Sequence, residues 1–382
     1  MFRKRIGSSC LRFLAATHRQ LHVSSVGGIC AASVIPVVDI SPWTTRKDET
    51  KMSKSATELG RAFESTGFAV LVGHGVPSDA VNNMCQMLHA FFDGPTSVKE
   101  AIQARAVHGA QGWHPQGHEN VAQLLGDFTR PPDLAERITY SNLHRIGGAS
   151  VDAWGHGGEQ EAVKYPEIPG FREATQSYVK AVTELWECLN RMSEAALGVP
   201  PKYMDDFYGD QRGTTLQLVR YLRSREYSHS VVEEDGIAFG AHTDSSGFTI
   251  LYTNGPGLEV ELADGWHAVP VLEGAYIVNV GRLLSRWTND RWLASVHRVR
   301  NVPGQSSQKL SIAHFTAPRG DAIIESLPTC VETGSSPKYQ PVKVSDFLYQ
   351  RHLLHIPPEH RKPEEREIPK EFWEAPRAVN RV

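Results

Sequence analysis

The stretch GAHTDSSGFTILY, from Gly240 to Tyr252, places a histidine and an aspartate two residues apart, shortly before an apolar run. The run that begins at Phe248 has the β-branched and aromatic residues that favour a strand. His242 and Asp244 are therefore either polar residues of a turn that opens this strand or two ligands of a metal ion. A metal site would require a third ligand elsewhere in the chain.

Short strands separated by turns surround this stretch, from about residue 213 to residue 317. The candidate strands are TTLQLVRYL, FTILYTN, GLEVEL, WHAVPV, AYIVNVG, ASVHRVRNV and QKLSIAHFTA. Turn residues such as Asp264-Gly265 and Pro303-Gly304 lie between them. Many short strands at this spacing predict a sandwich or a barrel, so we expect a mainly β fold in this part of the chain.

Two apolar segments before this region predict buried strands, and two longer segments predict helices. The strands are expected within VIPVVDISPW, which starts at Val34, and over Phe68–Val72. Apolar residues at helical spacing predict helices over Asp79–Phe92 and Phe171–Leu197. Helices are thus expected to flank the strand-rich region.

Composition marks the remaining divisions of the chain. Residues 104–160 are rich in glycine, proline and histidine and are predicted to be loop-like. Residues 356–377 mix charge with proline, which predicts a solvated extension. The predicted division is 1–33 as a transit peptide, 34–205 as an N-terminal region of helices and loops, 206–325 as the strand domain, and 326–382 as a C-terminal helix and charged tail.

The overall charge and the cysteines exclude several classes of protein. The 382 residues carry a net charge of -3, which gives no basic footprint for nucleic acid. No apolar run has the length of a membrane span. The five cysteines are scattered and form no CxxC pair, which argues against a disulfide framework and a thiolate zinc site and suits a reducing compartment.

The first 33 residues differ from the rest of the chain. They contain arginines, a lysine and several serines, and no acidic residue precedes Asp39. Apolar residues among them can form one face of an amphipathic helix. This pattern resembles a mitochondrial transit peptide. We therefore predict a mitochondrial protein, the alternative being a disordered basic tail on a cytoplasmic one.

Three later histidines compete for the position of the third metal ligand: His267, His297 and His314. Alternation along WLASVHRVRN puts His297 on the same face as small and apolar residues, with the arginines on the other face. His267 follows a turn and is expected to be exposed, while the face of His314 is ambiguous. With His242 and Asp244, His297 would complete a facial triad, which suits Fe(II) and O2 chemistry. A zinc site and ordinary polar turn residues are the alternatives that this pattern leaves open.

Several short segments also occur in the order of a known family's motifs. They are IPVVDIS, ESTGFAVLVGHGVP, AFFDGP, PPDLAE, HTD, GAYIVNVG, RWTNDRWLASVHRV and KLSIAHF. With this order and spacing, most of the chain resembles the iron and 2-oxoglutarate-dependent dioxygenases of the isopenicillin N synthase-like type. The resemblance implies a distorted double-stranded β-helix, or jelly roll, with helices packed outside. It also implies that His242, Asp244 and His297 bind the catalytic Fe(II).

The resemblance further implies a site for 2-oxoglutarate. Tyr221 and Ser311 match residues that bind this cosubstrate in the family, and Lys309 stands where the family has an arginine. A lysine offers a compact charge and a shorter reach than the planar guanidinium fork. Lys309 is therefore expected to hold the distal carboxylate with a different geometry. Arg282 stands where the family often has an acidic residue and is expected to be a salt-bridge partner.

The implied reaction is the oxidation of a small molecule with consumption of O2 and 2-oxoglutarate and release of succinate and CO2. Ascorbate would support it. Because Asp244 retains a carboxylate, no vacancy is left for a halide, and hydroxylation or desaturation is expected rather than halogenation. The alternatives are an iron oxidase that does not use 2-oxoglutarate, a zinc hydrolase on a similar barrel, and a non-catalytic ligand-binding relative. The sequence names neither the substrate nor the oligomeric state.

Overall fold

The computed structural model describes residues 33–105, 111–143, 163–210, 212–221, 236–302 and 309–374. The predicted transit peptide lies outside these residues, apart from Ser33. The strands are β1 (Val37–Asp39), β2 (Phe68–Val72), β3 (Gly112–His114), β4 (Ala135–Ser141), β5 (Gly213–Tyr221), β6 (Ile237–His242), β7 (Phe248–Thr253), β8 (Leu258–Leu262), β9 (Gly265–Ala268), β10 (Tyr276–Val280), β11 (His297–Arg300), β12 (Lys309–Ala317), β13 (Ile323–Ile324) and β14 (Val342–Lys343). The helices are α1 (Ser41–Thr45), α2 (Glu49–Ser65), α3 (Ser78–Phe92), α4 (Thr96–Glu100), α5 (Phe171–Leu197), α6 (Asp205–Tyr208), α7 (Arg282–Trp287) and α8 (Val344–Leu353).

Two sheets form the barrel. The larger sheet has the order β1-β2-β10-β7-β12-β5-β4-β3, and the smaller has the order β6-β11-β8-β9. The larger sheet takes β1 to β4 from the predicted N-terminal region and its other strands from the predicted strand domain. The mainly β fold with flanking helices is therefore confirmed, while the proposed boundaries between regions stay a prediction.

Helices cover the outer face of the larger sheet. In α5, buried residues such as Tyr178, Val182, Leu185 and Leu189 recur every three or four positions, which gives the helix one apolar face. Helix α5 packs against α2 and α3, and their buried faces join the main hydrophobic core. Among the described residues, no helix has the length and apolar character needed to cross a membrane.

A second, smaller core lies between the two sheets. Phe68 and Val70 of β2 and Val219 of β5 come from the larger sheet, and they pack with Val260 and Val299 of the smaller sheet. The barrel interior is therefore filled by apolar side chains on one side of each strand. The polar residues that also point inward are consequently the candidates for a functional site.

Several elements differ from the sequence expectation. The segment predicted to be loop-like contains β3 and β4, which extend the larger sheet beside β5. Strand β6, which ends at His242, was not predicted, and neither was α7. The C-terminal segment is also less solvated than predicted, because Phe372 is buried and stacks near Phe347 of α8. In each case burial against a distant element overrides weak local patterning.

Candidate active site

Strand pairing brings two of the predicted metal ligands together. In the antiparallel pairing of β6 with β11, His297 lies directly opposite His242, and the two ring centroids are 4.2 Å apart. Asp244 follows two residues after the end of β6. All three side chains are buried, and one potential ligand atom from each lies within 4.8 Å of the others. The described residues contain no other such group of three.

Hydrogen bonds orient both imidazoles. Nδ1 of His242 lies 2.9 Å from the Gly240 carbonyl oxygen, and Nδ1 of His297 lies 3.1 Å from the Ser295 carbonyl oxygen. Both Nε2 atoms therefore face Asp244, whose Oδ1 lies 3.6 and 3.7 Å from them. An ion about 2 Å from each ligand atom bridges such separations, so the donor set fits a divalent metal.

The Asp244 carboxylate is held by its other oxygen. Oδ2 accepts hydrogen bonds from the Thr249 hydroxyl and, at 2.6 Å, from the Asn279 amide. Burial opposes the negative charge, but the two histidines and these hydrogen bonds outweigh it and keep the pKa of Asp244 well below its usual range. Burial, with the nearby His242, lowers the pKa of His297 to about 4. The site therefore offers an anionic oxygen and an uncharged His297 imidazole at neutral pH, with the His242 imidazole beside them.

A buried arginine of α8 fastens the loop that carries Asp244. The Arg351 guanidinium donates to the Thr243 carbonyl at 2.8 Å, to the Thr243 hydroxyl at 3.1 Å and to the Ser245 hydroxyl at 3.0 Å. The backbone N–H of Arg282 donates to the Asp244 carbonyl at 2.8 Å. Both neighbours of Asp244 and its own backbone are thus fixed. Sequence reasoning missed the role of Arg351, because Thr243 and Ser245 lie more than 100 positions away from it.

The three residues predicted to hold 2-oxoglutarate also converge. Lys309 of β12 pairs directly with Tyr221 of β5, and its Nζ lies 4.9 Å from the Tyr221 ring centroid. Ser311, two residues along β12, shares that face and donates to the Thr253 hydroxyl at 3.2 Å. Burial, opposed by a hydrogen bond with Ser311, raises the pKa of Tyr221 to about 12. These residues can therefore act on one ligand.

Lys309 is a largely enclosed cation without an anionic partner in the described part of the chain. Burial of its ammonium group alone lowers the pKa of Lys309 to about 7. Gly257 makes room for this group: a Cβ there would lie 3.3 Å from Lys309 Nζ and 2.2 Å from the Arg300 carbonyl oxygen. Because an unpaired charge withdrawn from water is costly, the arrangement favours binding of an anion beside Lys309.

A cavity of about 160 Å³ adjoins the predicted metal ligands. His242 and Asp244 form part of its wall, and β4, β5, β12 and α8 supply most of the remainder. Tyr221, Lys309 and Ser311 are not among the residues that line it. The residues around Lys309 thus do not form the wall of this cavity.

The other candidates have different environments. His267 lies at the surface, with Nε2 2.7 Å from Asp264 Oδ1, as its position after a turn predicted. His314 is buried in β12 and does not join the metal-ligand group. Arg282 is buried, and its guanidinium donates to the Glu371 carbonyl at 3.0 Å, which is a backbone oxygen and not the predicted carboxylate.

Comparison with known proteins identifies the class. Residues 35–152 match the family described as non-haem dioxygenase in morphine synthesis N-terminal, and residues 213–318 match the 2OG-Fe(II) oxygenase superfamily. The validamycin A dioxygenase of Streptomyces hygroscopicus subsp. limoneus is 28% identical over 84% of this chain and 86% of its own. The flavonol synthase/flavanone 3-hydroxylase of Arabidopsis thaliana is 24% identical over 89% of this chain and 92% of its own.

A solved structure has the same fold. A full-length Neurospora crassa protein, crystallised in complex with alpha-KG, superposes with a TM-score of 0.71, at 25% identity, over 84% of this chain and 96% of the other. The fold and the site thus define a non-haem iron oxygenase with a double-stranded β-helix core. The chain belongs to the 2OG-Fe(II) oxygenase superfamily. It is a 2-oxoglutarate-dependent Fe(II) dioxygenase that oxidises a small-molecule substrate.

Proposed function

We propose that this dioxygenase hydroxylates or desaturates its substrate at a centre formed by His242, Asp244 and His297. The observation that carries this proposal is the buried group of two imidazoles and one carboxylate beside a cavity. Two imidazoles and one carboxylate are a ligand set that suits Fe(II). These three residues would hold the ion, and the ion would supply the place where the cosubstrate and O2 react.

We assign the binding of 2-oxoglutarate to Lys309, Tyr221 and Ser311. The distal carboxylate of the cosubstrate would be the anionic partner that Lys309 does not have among the described residues. Hydroxyl groups of Tyr221 and Ser311 lie on the same barrel face and add neutral hydrogen bonds to it. The lysine does not need the bidentate geometry of an arginine to make this ion pair.

When bound, Fe(II) with 2-oxoglutarate supplies the oxidation of a C–H bond, with O2 consumed and succinate and CO2 released. The chain contributes geometry. Asn279 and Thr249 hold one oxygen of Asp244, so that only the other oxygen faces the metal position. The cavity beside Asp244 would hold the substrate next to the metal position.

The metal assignment is tested by iron binding to His297→Ala, with His267→Ala as the matched control. We expect the first variant to lose iron retention in anaerobic dialysis and the second to keep it, because His267 lies at the surface. If the His297 variant holds iron as the unmodified protein does, the proposed ligand set is wrong.

The activity is tested by succinate formation from 2-oxoglutarate in air, with Fe(II) and ascorbate. We propose that ascorbate supports turnover by keeping the iron reduced. Slow release of succinate without substrate, lost in Asp244→Ala, is the expected result. If the iron-loaded protein neither binds 2-oxoglutarate nor releases succinate, the cosubstrate assignment fails and a 2-oxoglutarate-independent oxidase is favoured.

We also propose that the first 33 residues direct the protein to mitochondria. Their basic character and lack of acidic residues support this proposal. Fusion of these residues to a fluorescent protein should give mitochondrial fluorescence, and removal of them from the full chain should abolish import. Cytoplasmic fluorescence of the fusion would contradict the proposal.

A further inference from the structure

The cavity beside His242 and Asp244 has room for a compact part of the substrate. Its volume of about 160 Å³ is comparable to cavities that admit a single benzene ring. A molecule bound there touches the wall that carries the proposed metal ligands. The following inference therefore rests on the proposed function of this same site and concerns the chemical class of its substrate.

One part of the cavity wall is apolar and aromatic. Phe239 and Phe315 are both half-buried and line it together with Leu124 and Leu348. The Phe239 ring packs edge-on against His242, with centroids 5.4 Å apart. The portion of the substrate near the metal position thus meets aromatic and aliphatic surface, which favours a compact apolar or aromatic body.

Another part of the wall carries a buried ion pair. Arg137 of β4 contacts the Glu119 carboxylate, and the two side chains are only 10% and 8% exposed. Burial raises the pKa of Glu119, and Arg137 opposes this effect. The pair carries no net charge as long as Glu119 is ionised. A ligand anion would be repelled by Glu119, and a ligand cation would be repelled by Arg137. Water screens these repulsions little, because both side chains are buried.

Of the polar atoms in the cavity wall that have no hydrogen-bond partner within the described ranges, two lie on β4. They are Nε of Arg137 and Oγ1 of Thr139, and both residues are more than nine-tenths buried. The two residues alternate along β4 and therefore share a face, and both line the cavity. This part of the wall thus offers a donor and a hydroxyl to a ligand oxygen, and its ion pair carries no net charge while Glu119 is ionised.

We propose that the cavity binds an uncharged small molecule with a compact aromatic or apolar body and an amide or carbonyl group that faces Arg137 and Thr139. An amide oxygen accepts a hydrogen bond from the guanidinium without adding a charge beside Glu119. The Arg137–Glu119 pair determines specificity by excluding charged molecules of the same shape.

Benzamide, benzoate and benzamidinium test the proposal, because they have nearly the same shape and differ in charge. Their affinities are measured by ligand-observed NMR on the full chain with Fe(II) and 2-oxoglutarate, without O2. Benzamide should bind about tenfold or more tightly than either ion. Tighter binding of benzoate or benzamidinium, equal binding of all three, or no binding of any of them overturns the proposal.

Charge-altering variants sharpen the test. Arg137→Gln should shift the preference towards benzamidinium, and Glu119→Gln should shift it towards benzoate. The double variant should prefer benzamide again, and Arg172→Gln, on the exposed face of α5, should leave the preference unchanged. If benzamide is still preferred in both single variants, the preference depends on other residues. That result overturns the role of the Arg137–Glu119 pair.

The same samples separate this proposal from the proposed function. If Fe(II) and 2-oxoglutarate bind but benzamide does not, the substrate class is wrong while the dioxygenase site stands. If Fe(II) or 2-oxoglutarate fails to bind, the proposed site residues are wrong. The charge series on the unmodified protein decides the outcome even where removal of the buried ion pair prevents a variant from folding.

Discussion

Two cations withdrawn from water lie near the active site, and they differ in the oxygen atoms around them. Arg351 is fully buried, yet its guanidinium donates to two oxygens of Thr243, to the Ser245 hydroxyl and to the Phe372 carbonyl. Burial, with a smaller contribution from Arg282, lowers the pKa of Arg351 to about 9. These neutral oxygens accept the hydrogen bonds of the guanidinium. Arg351 therefore has a structural role and does not need a bound ligand.

Among the residues that the structure describes, Lys309 has no such set of acceptors. Its ammonium faces the Tyr221 ring and forms no hydrogen bond or ion pair with the residues that the structure describes. A buried cation without hydrogen-bond acceptors favours the binding of an anionic ligand. A buried cation that is surrounded by acceptor oxygens stabilises the fold instead. The comparison thus separates Arg351, which holds the loop that carries Asp244, from Lys309, to which we assign the binding of the cosubstrate.

The largest effect is expected for Arg351→Met. Loss of the guanidinium leaves buried oxygens unsatisfied and should lower the free energy of unfolding by about 3 kcal/mol. It should also weaken Fe(II) binding about 10- to 100-fold, because residues that hold a metal ligand in place affect affinity by this factor. Urea unfolding and anaerobic iron titration measure the two effects. An unchanged iron affinity in folded protein would restrict Arg351 to a general role in stability.

Lys309→Ala should weaken 2-oxoglutarate binding by about 10- to 100-fold, with little change in iron affinity. Lys309→Arg should retain most of the binding, because the positive charge is kept. Lys180→Ala, on an exposed face of α5, is the control. Binding is measured by calorimetry without O2. If the alanine and arginine variants behave alike, Lys309 does not bind the cosubstrate.

The affinity for 2-oxoglutarate should fall as the pH rises above about 7. Burial lowers the pKa of Lys309 to about 7 in the free protein, so its charged fraction declines above that value while the bound anion favours the charged form. Tyr221, which faces it, has a pKa raised by burial to about 12 and stays neutral. Titrations between pH 6 and about 9 should show this decline, which Lys309→Arg should remove. A pH-independent affinity of the unmodified protein would contradict the prediction.

The smallest effect is expected for the stability of Lys309→Met without ligand. The folded-state pKa of Lys309 lies below its ordinary value of 10.5, so the unfolded chain binds the proton more strongly. The resulting penalty is full below about pH 7 and disappears as the pH rises towards 10.5. The variant should therefore be more stable by about 2 kcal/mol at pH 6, with a smaller gain at pH 9. Added 2-oxoglutarate should raise the melting temperature of the unmodified protein more than that of the variant.

The sequence correctly predicted those elements whose pattern is formed by residues close together in the chain. Phe68–Val72 and Phe171–Leu197 have the predicted bounds, because a continuous apolar run and a helical repeat are properties of neighbouring residues. Strand β4 was missed because it lies among glycines, prolines and histidines. Its place beside β5 depends on a pairing with residues about 80 positions away.

The sequence identified the predicted metal-ligand residues, but it did not show that they lie close together. Their identity was available from alternation and from the family resemblance, and their proximity depends on the pairing of β6 with β11. Arg351 was not found in the sequence, because an arginine on a helix is most often solvated. Only burial against the loop from Thr243 to Ser245 distinguishes it from the other arginines of the C-terminal segment.

The sequence by itself thus determined the mainly β class, the superfamily resemblance and the residues of the candidate metal and cosubstrate sites. These depend on local periodicity and on residue types at ordered positions. Only the tertiary structure showed the surroundings of three charged side chains. Arg137 pairs with Glu119, and Arg351 donates to the loop from Thr243 to Ser245. Lys309 has no anionic partner among the described residues. The physical reason is that the energy of a charge depends on its burial and its partners, and both are set by contacts between distant parts of the chain.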